Sequence, residues 1–187
     1  MLTGKTALIT GSVGGIGYAT AAALAAQGCN VMLNGFADPR EIEEKRRALE
    51  KAHGIEARYN GADLRNIAEI EDLVAATERE LGPVDILVNN AVVRHFAPVE
   101  DFKAEDWQAA LDVNLSAPFH LIRLTLRGMK QRGWGRIVNL ASALGVIAMP
   151  NRADYVVTKT ALMGLARAIA IETQQEPNIT VNAVCPG

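Results

Sequence analysis

Six short aliphatic or β-branched runs, at residues 6–10, 30–33, 55–59, 84–88, 136–140 and 179–184, alternate along this chain with longer stretches of helical periodicity. That rhythm constrains the fold more than any other feature, because a strand, a helix and a second strand of this spacing form a βαβ unit. The runs are apolar on both sides of the backbone, as strands are when helices cover both faces of a parallel sheet. The periodicity predicts helices over 16–27, 39–52, 67–80, 104–131 and 153–173, with Gly28, Gly54, Gly82 and Gly133 ending four of them. Right-handed crossovers then give a doubly wound α/β sheet of about six parallel strands with helices on both faces. In such a sheet a ligand site lies at the carboxyl ends of the strands, where the winding direction switches.

No linker, repeat or low-complexity tract interrupts the pattern, so residues 1–187 read as a single domain with enough apolar content, 49% of residues, for a substantial core. A formal net charge of -2, with Lys and Arg scattered along the chain, offers no basic surface for a nucleic acid. The N-terminal apolar run is too short for a signal peptide, and no segment approaches the ~20 apolar residues that span a bilayer, so the expectation is a soluble, cytoplasmic protein without a membrane partner. Cys29 and Cys185 are read as packed free thiols, and no residues have the spacing of a metal site. His53, His95 and His120 show no ligand spacing and receive no catalytic role. Trp107 is read as packing or as part of a subunit contact.

The first strand leads through Thr10-Gly11-Ser12-Val13-Gly14-Gly15-Ile16-Gly17 directly into the first helix. Glycines there permit a tight turn and close backbone approach, and the free N–H groups of a helix start suit a pyrophosphate, so the loop is assigned to a dinucleotide. The second strand ends Leu33-Asn34-Gly35-Phe36, with Asp38 shortly after, and carries no clean carboxylate for the adenosine ribose. No cation occupies the glycine loop or the strand end to neutralise a 2′-phosphate, although Arg40 is near enough to leave NADP open; the balance points to NAD. Farther on, Tyr155-Val156-Val157-Thr158-Lys159 puts a phenol and an ammonium four residues apart, on one face of a helix. A nearby cation stabilises a phenolate and draws the tyrosine toward acid/base work at neutral pH.

Thr10-Gly11-x-x-x-Gly15-x-Gly17, Asp63-Leu64, Asn89-Asn90-Ala91, Asn114, Ser142, Tyr155-x-x-x-Lys159 and Pro186-Gly187 together resemble the short-chain dehydrogenase/reductase family in order and spacing. Residues 33–39, His95 to Glu100 and Trp134-Gly135-Arg136 are most similar to its 3-hydroxybutyrate dehydrogenase branch, which uses NAD. The resemblance implies a Rossmann fold and hydride transfer between nicotinamide and a carbinol or carbonyl carbon, with Tyr155 exchanging the oxygen's proton. It implies that Lys159 eases ionisation of Tyr155 and binds the nicotinamide ribose, that Ser142 holds the substrate oxygen, and that Asn114 anchors a proton-relaying water chain. Cofactor contacts are implied for Gly11, Ser12, Gly15, Ile16, Gly17, Phe36, Asp63 at the adenine, Leu64, Asn90 at the adenosine ribose, Ala91, Pro186 and Gly187. Arg94, Leu144 and Arg152 stand where that branch has Gln, His and Lys on the substrate carboxylate. Two arginines still suit an acid, while Leu144 makes one corner apolar and favours a longer or different acid.

Two further departures bear on activity. Val92 replaces a glycine beside the cofactor. Family members also continue past the Pro-Gly motif through a threonine, a lid and a seventh strand, so this sequence is expected to be a cut version lacking that C-terminal strand and lid. These departures motivate one alternative, a catalytically weak or idle dinucleotide-binding or assembly protein; a second alternative is an NADPH-dependent reductase of acyl or sugar carbonyls. The resemblance also implies a homodimer or homotetramer joined through the helices at 104–131 and 153–173, where Ala161, Gly164, Ala166 and Ala168 would allow close approach.

Overall fold

The structure is a computed structural model that describes residues 2–187. Its strands are β1 (Thr6–Ile9), β2 (Asn30–Asn34), β3 (Ala57–Asn60), β4 (Val84–Asn89), β5 (Gly135–Leu140) and β6 (Ile179–Val184). They form one sheet in the order β3-β2-β1-β4-β5-β6, with every neighbouring pair parallel. The helices are α1 (Gly15–Ala26), α2 (Pro39–His53), α3 (Ile67–Leu81), α4 (Ala104–Leu111), α5 (Ala117–Arg132), α6 (Leu144–Ile147) and α7 (Ala153–Glu172). Connections from β1 and β4 leave in opposite directions across the sheet, which opens a crevice between their carboxyl ends.

Each sheet face has its own core, which explains why the strands are apolar throughout. Leu8, Met32, Leu87 and Ile137 pack with Leu73 of α3, Leu121 of α5 and Ile169 of α7. Their neighbours Ala7, Ile9, Val31, Leu33 and Val88 point the other way, onto Ala21 and Ala25 of α1 and Leu49 of α2. Gly54 and Gly133 close α2 and α5 in the left-handed conformation, whereas Gly82 closes α3 with φ 91° and ψ 177°.

The single helix expected over 104–131 is two helices joined by a π-helical segment at Asp112–Ser116. Pro118 gives the physical reason: it has no N–H, and its ring cannot tolerate the carbonyl of Asn114 in an ordinary α-turn, so the chain widens there. The structure also adds α6 and a short 3-10 turn at Val99–Asp101, neither of which periodicity indicates. Ala166 on α7 packs into the core and is unavailable to a partner helix, while Ala168 is exposed and a Cβ on Gly164 would meet nothing within 4 Å.

Candidate active site

A cleft of about 660 Å³ occupies the β1/β4 switch point, with Gly11, Phe36, Asp63, Leu64, Ala91 and Val92 among its lining. Its floor is fixed by a closed polar network. Asn90 donates from Nδ2 to the carbonyls of Thr10 and Gly11 at 3.0 and 2.8 Å, and the backbone N–H groups of Asn90 and Ala91 donate to Thr10 Oγ1. Gly17 is forced by this packing: a Cβ there would sit 2.3 Å from the Gly11 carbonyl oxygen. Gly11 combines a φ of 60° with a Cβ position 2.8 Å from the Ala91 Cα. Gly14 and Gly15 differ, since a Cβ on either meets nothing within 4 Å. The N–H groups of Gly15, Ile16 and Gly17 begin α1 and have no intrahelical acceptor, so the helix start that follows Gly11 and Val13 of the cleft lining offers free donors.

Two residues expected at the cofactor also hold the frame together. Ser12 is completely buried, with Oγ donating to the Ile9 carbonyl at 2.6 Å and accepting from Asn34 N–H at 3.1 Å, and its own N–H held by Asn34 O. It ties the ends of β1 and β2 together. The Asn90 Nδ2 likewise pins the glycine loop through the Thr10 and Gly11 carbonyls.

At the far end of the cleft Phe36 is 70% exposed and provides an apolar platform. Asp63 is gripped by the Arg65 guanidinium, with Nη2 2.5 Å from Oδ2, and this partner holds its carboxyl below the usual carboxylate range. Sequence reading did not single out Arg65, which also lines the cleft. Asp38 caps α2 by accepting from Arg40 N–H at 2.8 Å. Lys45 is paired with Glu41 and the Val13 carbonyl, so this cation behind the glycine loop is engaged.

Tyr155 and Lys159 share a face of α7, as their spacing requires, with the ammonium 5.6 Å from the phenol ring centroid. Lys159 is buried and donates to the Leu140 carbonyl at the end of β5. Burial first, and the charge of Arg94 second, bring its pKa down to about 8. Ser142, two residues beyond β5, accepts from Leu144 N–H at 3.2 Å, which leaves its hydroxyl proton free to donate. The π segment carries Asn114 inward, where Oδ1 accepts from Val93 N–H and Nδ2 donates to Val93 O, both at 2.9 Å, and to Thr158 Oγ1 at 3.3 Å. Those bonds join the chain after β4 to α7 and fix the Asn114 side chain within the protein.

Of the residues expected around a substrate, Arg152 approaches the Tyr155 ring. Arg152 lies in front of α7 with its guanidinium carbon 3.2 Å from the Phe96 ring centroid and 6.0 Å from that of Tyr155. Its Nε and Nη1 are buried and have no hydrogen-bond partner. Leu144 starts α6, which is locked to α7 because the Gly145 carbonyl accepts from Thr160 Oγ1 at 2.6 Å. Pro186 lies near this loop, its carbonyl accepting from Ala143 N–H at 3.0 Å, and Gly187 is exposed. Sequence reading assigned no site role to His95 or Phe96 and did not single out Asp154. The available signal was position, since His95 and Phe96 follow β4 at the switch point and Asp154 adjoins Tyr155.

A profile of the short chain dehydrogenase family matches residues 5–187. The chain is 46% identical over 187 residues to a D-beta-hydroxybutyrate dehydrogenase of Cupriavidus necator, covering 100% of this chain and 71% of that protein. It is 44% identical over 186 residues to the D-beta-hydroxybutyrate dehydrogenase of Rhizobium meliloti, covering 98% and 70%. Among solved structures, an NAD+-bound xylitol dehydrogenase superposes with a TM-score of 0.91 at 35% identity, covering 100% of this chain and 71% of that one. The L-sorbose reductase of Gluconobacter frateurii, complexed with NADPH and L-sorbose, gives 0.94 at 32% identity, covering 100% and 70%. No helix among the described residues is long and apolar enough to cross a membrane. A parallel sheet wound about a glycine-lined crevice, a family match along nearly the whole sequence and relatives at these identities establish that the chain belongs to the short-chain dehydrogenase family of NAD(P)-dependent oxidoreductases, near its 3-hydroxybutyrate dehydrogenases.

Proposed function

We propose that residues 1–187 act as one dinucleotide-binding unit that transfers hydride between NAD(H) and a secondary alcohol or ketone, with a small 3-hydroxy acid such as 3-hydroxybutyrate as substrate. The observation that carries the acid is Arg152, whose buried Nε and Nη1 have no partner beside Tyr155. A buried guanidinium nitrogen without an acceptor is costly, and a carboxylate oxygen is the acceptor that best satisfies such a charged donor. The exposed Arg94 and the buried Lys159 add positive charge to the same corner.

The residues fit a dinucleotide: the open cradle at Gly14 and Gly15 offers N–H groups to a pyrophosphate, and Phe36 offers a face to the adenine end. Bound there, nicotinamide supplies the site that accepts or gives the hydride. Tyr155 takes up or returns the proton of the substrate oxygen, and the Lys159 ammonium favours the negative charge that develops on the phenol oxygen. Ser142 donates its free hydroxyl proton to that substrate oxygen. NAD is favoured over NADP because Arg65 and Lys45 are already paired with carboxylates. The exposed Ala168 and the open face at Gly164 favour self-association through α7 as a homodimer or homotetramer, which light scattering reads directly.

The test follows NADH absorbance with 3-hydroxybutyrate and the neutral butan-2-ol. Arg152→Met is expected to raise KM for the acid about 10- to 100-fold and to leave the alcohol unaffected, the range for losing charge-assisted hydrogen bonds. Equal effects on both substrates reject the carboxylate role, and a lower Kd for NADPH than for NADH rejects the cofactor assignment.

A further inference from the structure

The chain leaving β4 is fastened to the start of α7 at His95, and its next residue, Phe96, lies against Arg152 just before that helix. His95 brings its backbone N–H and its ring Nδ1 to the same oxygen, Oδ2 of Asp154, at 3.1 and 3.0 Å. A carboxylate only accepts, so Nδ1 carries the ring proton. On the opposite side Nε2 faces Oδ1 of Asp106 on α4 at 3.6 Å, and the ring edge packs on Phe102 with centroids 6.2 Å apart. Asp154 is fully buried, and its other oxygen accepts from Tyr155 N–H at 2.6 Å. A buried carboxylate with so few partners holds each of them firmly, because releasing one leaves charge uncompensated in a low dielectric.

The flanking residues carry the consequence. Phe96 lies under the guanidinium of Arg152, and Arg94 is close enough to Lys159 for its charge to act on the ammonium. Neither Arg94 nor Phe96 is buried; Asn114 holds the chain at Val93, and beyond that point the strap depends on what holds its centre.

We propose that His95 is a positioning residue for the substrate pocket: by fastening residues 94–96 to Asp154 it sets Arg94 directly, and Arg152 through Phe96, beside Tyr155. The inference rests on the reading of those arginines as carboxylate anchors, and one of its readouts is independent of that reading. His95→Ala and the bulkier His95→Gln remove the Nδ1 bond, and His95→Asn returns a donor to the same place. In the two loss variants kcat/KM for 3-hydroxybutyrate relative to butan-2-ol is expected to fall about 10-fold, mainly through KM, and to recover with His95→Asn. The Kd for NADH is expected to stay unchanged.

The independent readout is the pH at which Lys159 becomes half-reactive toward acetic anhydride in cofactor-free protein, followed by mass spectrometry. With the Nδ1 bond lost and only the His95 backbone N–H left on Asp154, the strap loosens, the Arg94 charge moves away and this midpoint rises; His95→Asn returns it. A folded loss variant that keeps both the substrate ratio and the Lys159 midpoint overturns the proposal. If wild-type protein shows no preference for the acid, the carboxylate reading falls and the Lys159 midpoint alone decides for or against His95.

Discussion

The two sides of the active-site crevice are built on opposite terms. On the glycine-loop side the inward polar groups of Thr10, Ser12, Asn34 and Asn90 find protein partners. On the Tyr155 side Arg152 keeps two orphaned donors and Lys159 is stripped of water. Ala148 and Asn151 both hold φ at 59° in the connection between α6 and α7, a conformation that costs non-glycine residues energy. Val146, Ile147 and Met149 stay exposed nearby. Apart from the N–H groups that open α1, the first side is a frame whose side-chain partners are internal. The second stores unsatisfied charge, which is what a site needs if its ligand is to supply the missing partners.

The sharpest way to break this contrast is at the proposed proton donor. Tyr155→Phe is expected to lower kcat about 1000-fold, within the range for removing a general acid/base, with the NADH Kd and the melting temperature nearly unchanged. Retained turnover removes the assigned role.

On the closed side Gly17→Ala pushes a Cβ to 2.3 Å from a backbone oxygen that Asn90 already holds. It is expected to cost about 3 kcal/mol or more in urea unfolding, and to weaken NADH binding because the cradle must shift. Gly15→Ala, with open space around it but a φ of 53°, should cost only about 1 kcal/mol.

Lys159 sharpens the contrast through pH. Its folded pKa of about 8 lies below the ordinary 10.5. Between those values the unfolded chain binds the proton and the native chain does not, so stability rises as pH climbs from about 8 to 10.5; below about 8 both states are protonated and the full burial penalty remains. The gain across that window is on the order of 3 kcal/mol, and Lys159→Met is expected to abolish it in urea midpoints measured against pH. The Cys29 thiol, pushed up to about 11 by burial, contributes with the opposite sign above about pH 9, so the readout is the difference between wild type and Lys159→Met. A difference that does not vary with pH contradicts the burial of a charged amine. The smallest effects complete the comparison: Asn90→Ala, which strips two carbonyls of their donor, should cost about 2 kcal/mol, whereas Arg152→Met should leave stability within about 1 kcal/mol.

Much of this was legible in sequence because it depends on local rules. Strand and helix positions follow from apolar periodicity, and Tyr155 and Lys159 share a face because helical geometry requires it. Pro118 was a local signal for the widened turn at Asp112–Ser116, but the strong apolar period across 104–131 masked it. Motif position identified Ser12 and Asn90 as crevice residues without saying which way their polar atoms face, and both face the protein. His95 and Asp154 are 59 residues apart, and nothing in either local pattern pairs them.

Periodicity and glycine placement act over a few residues, so the doubly wound sheet, the crevice at the switch point and the chemical groups around it are legible in the chain before it folds. Which of those groups stay free for a ligand is settled by folding. That outcome depends on partners brought together across the sheet, such as Asn114 with Val93, Ser12 with Asn34 and His95 with Asp154, and on the burial that leaves Arg152 without one.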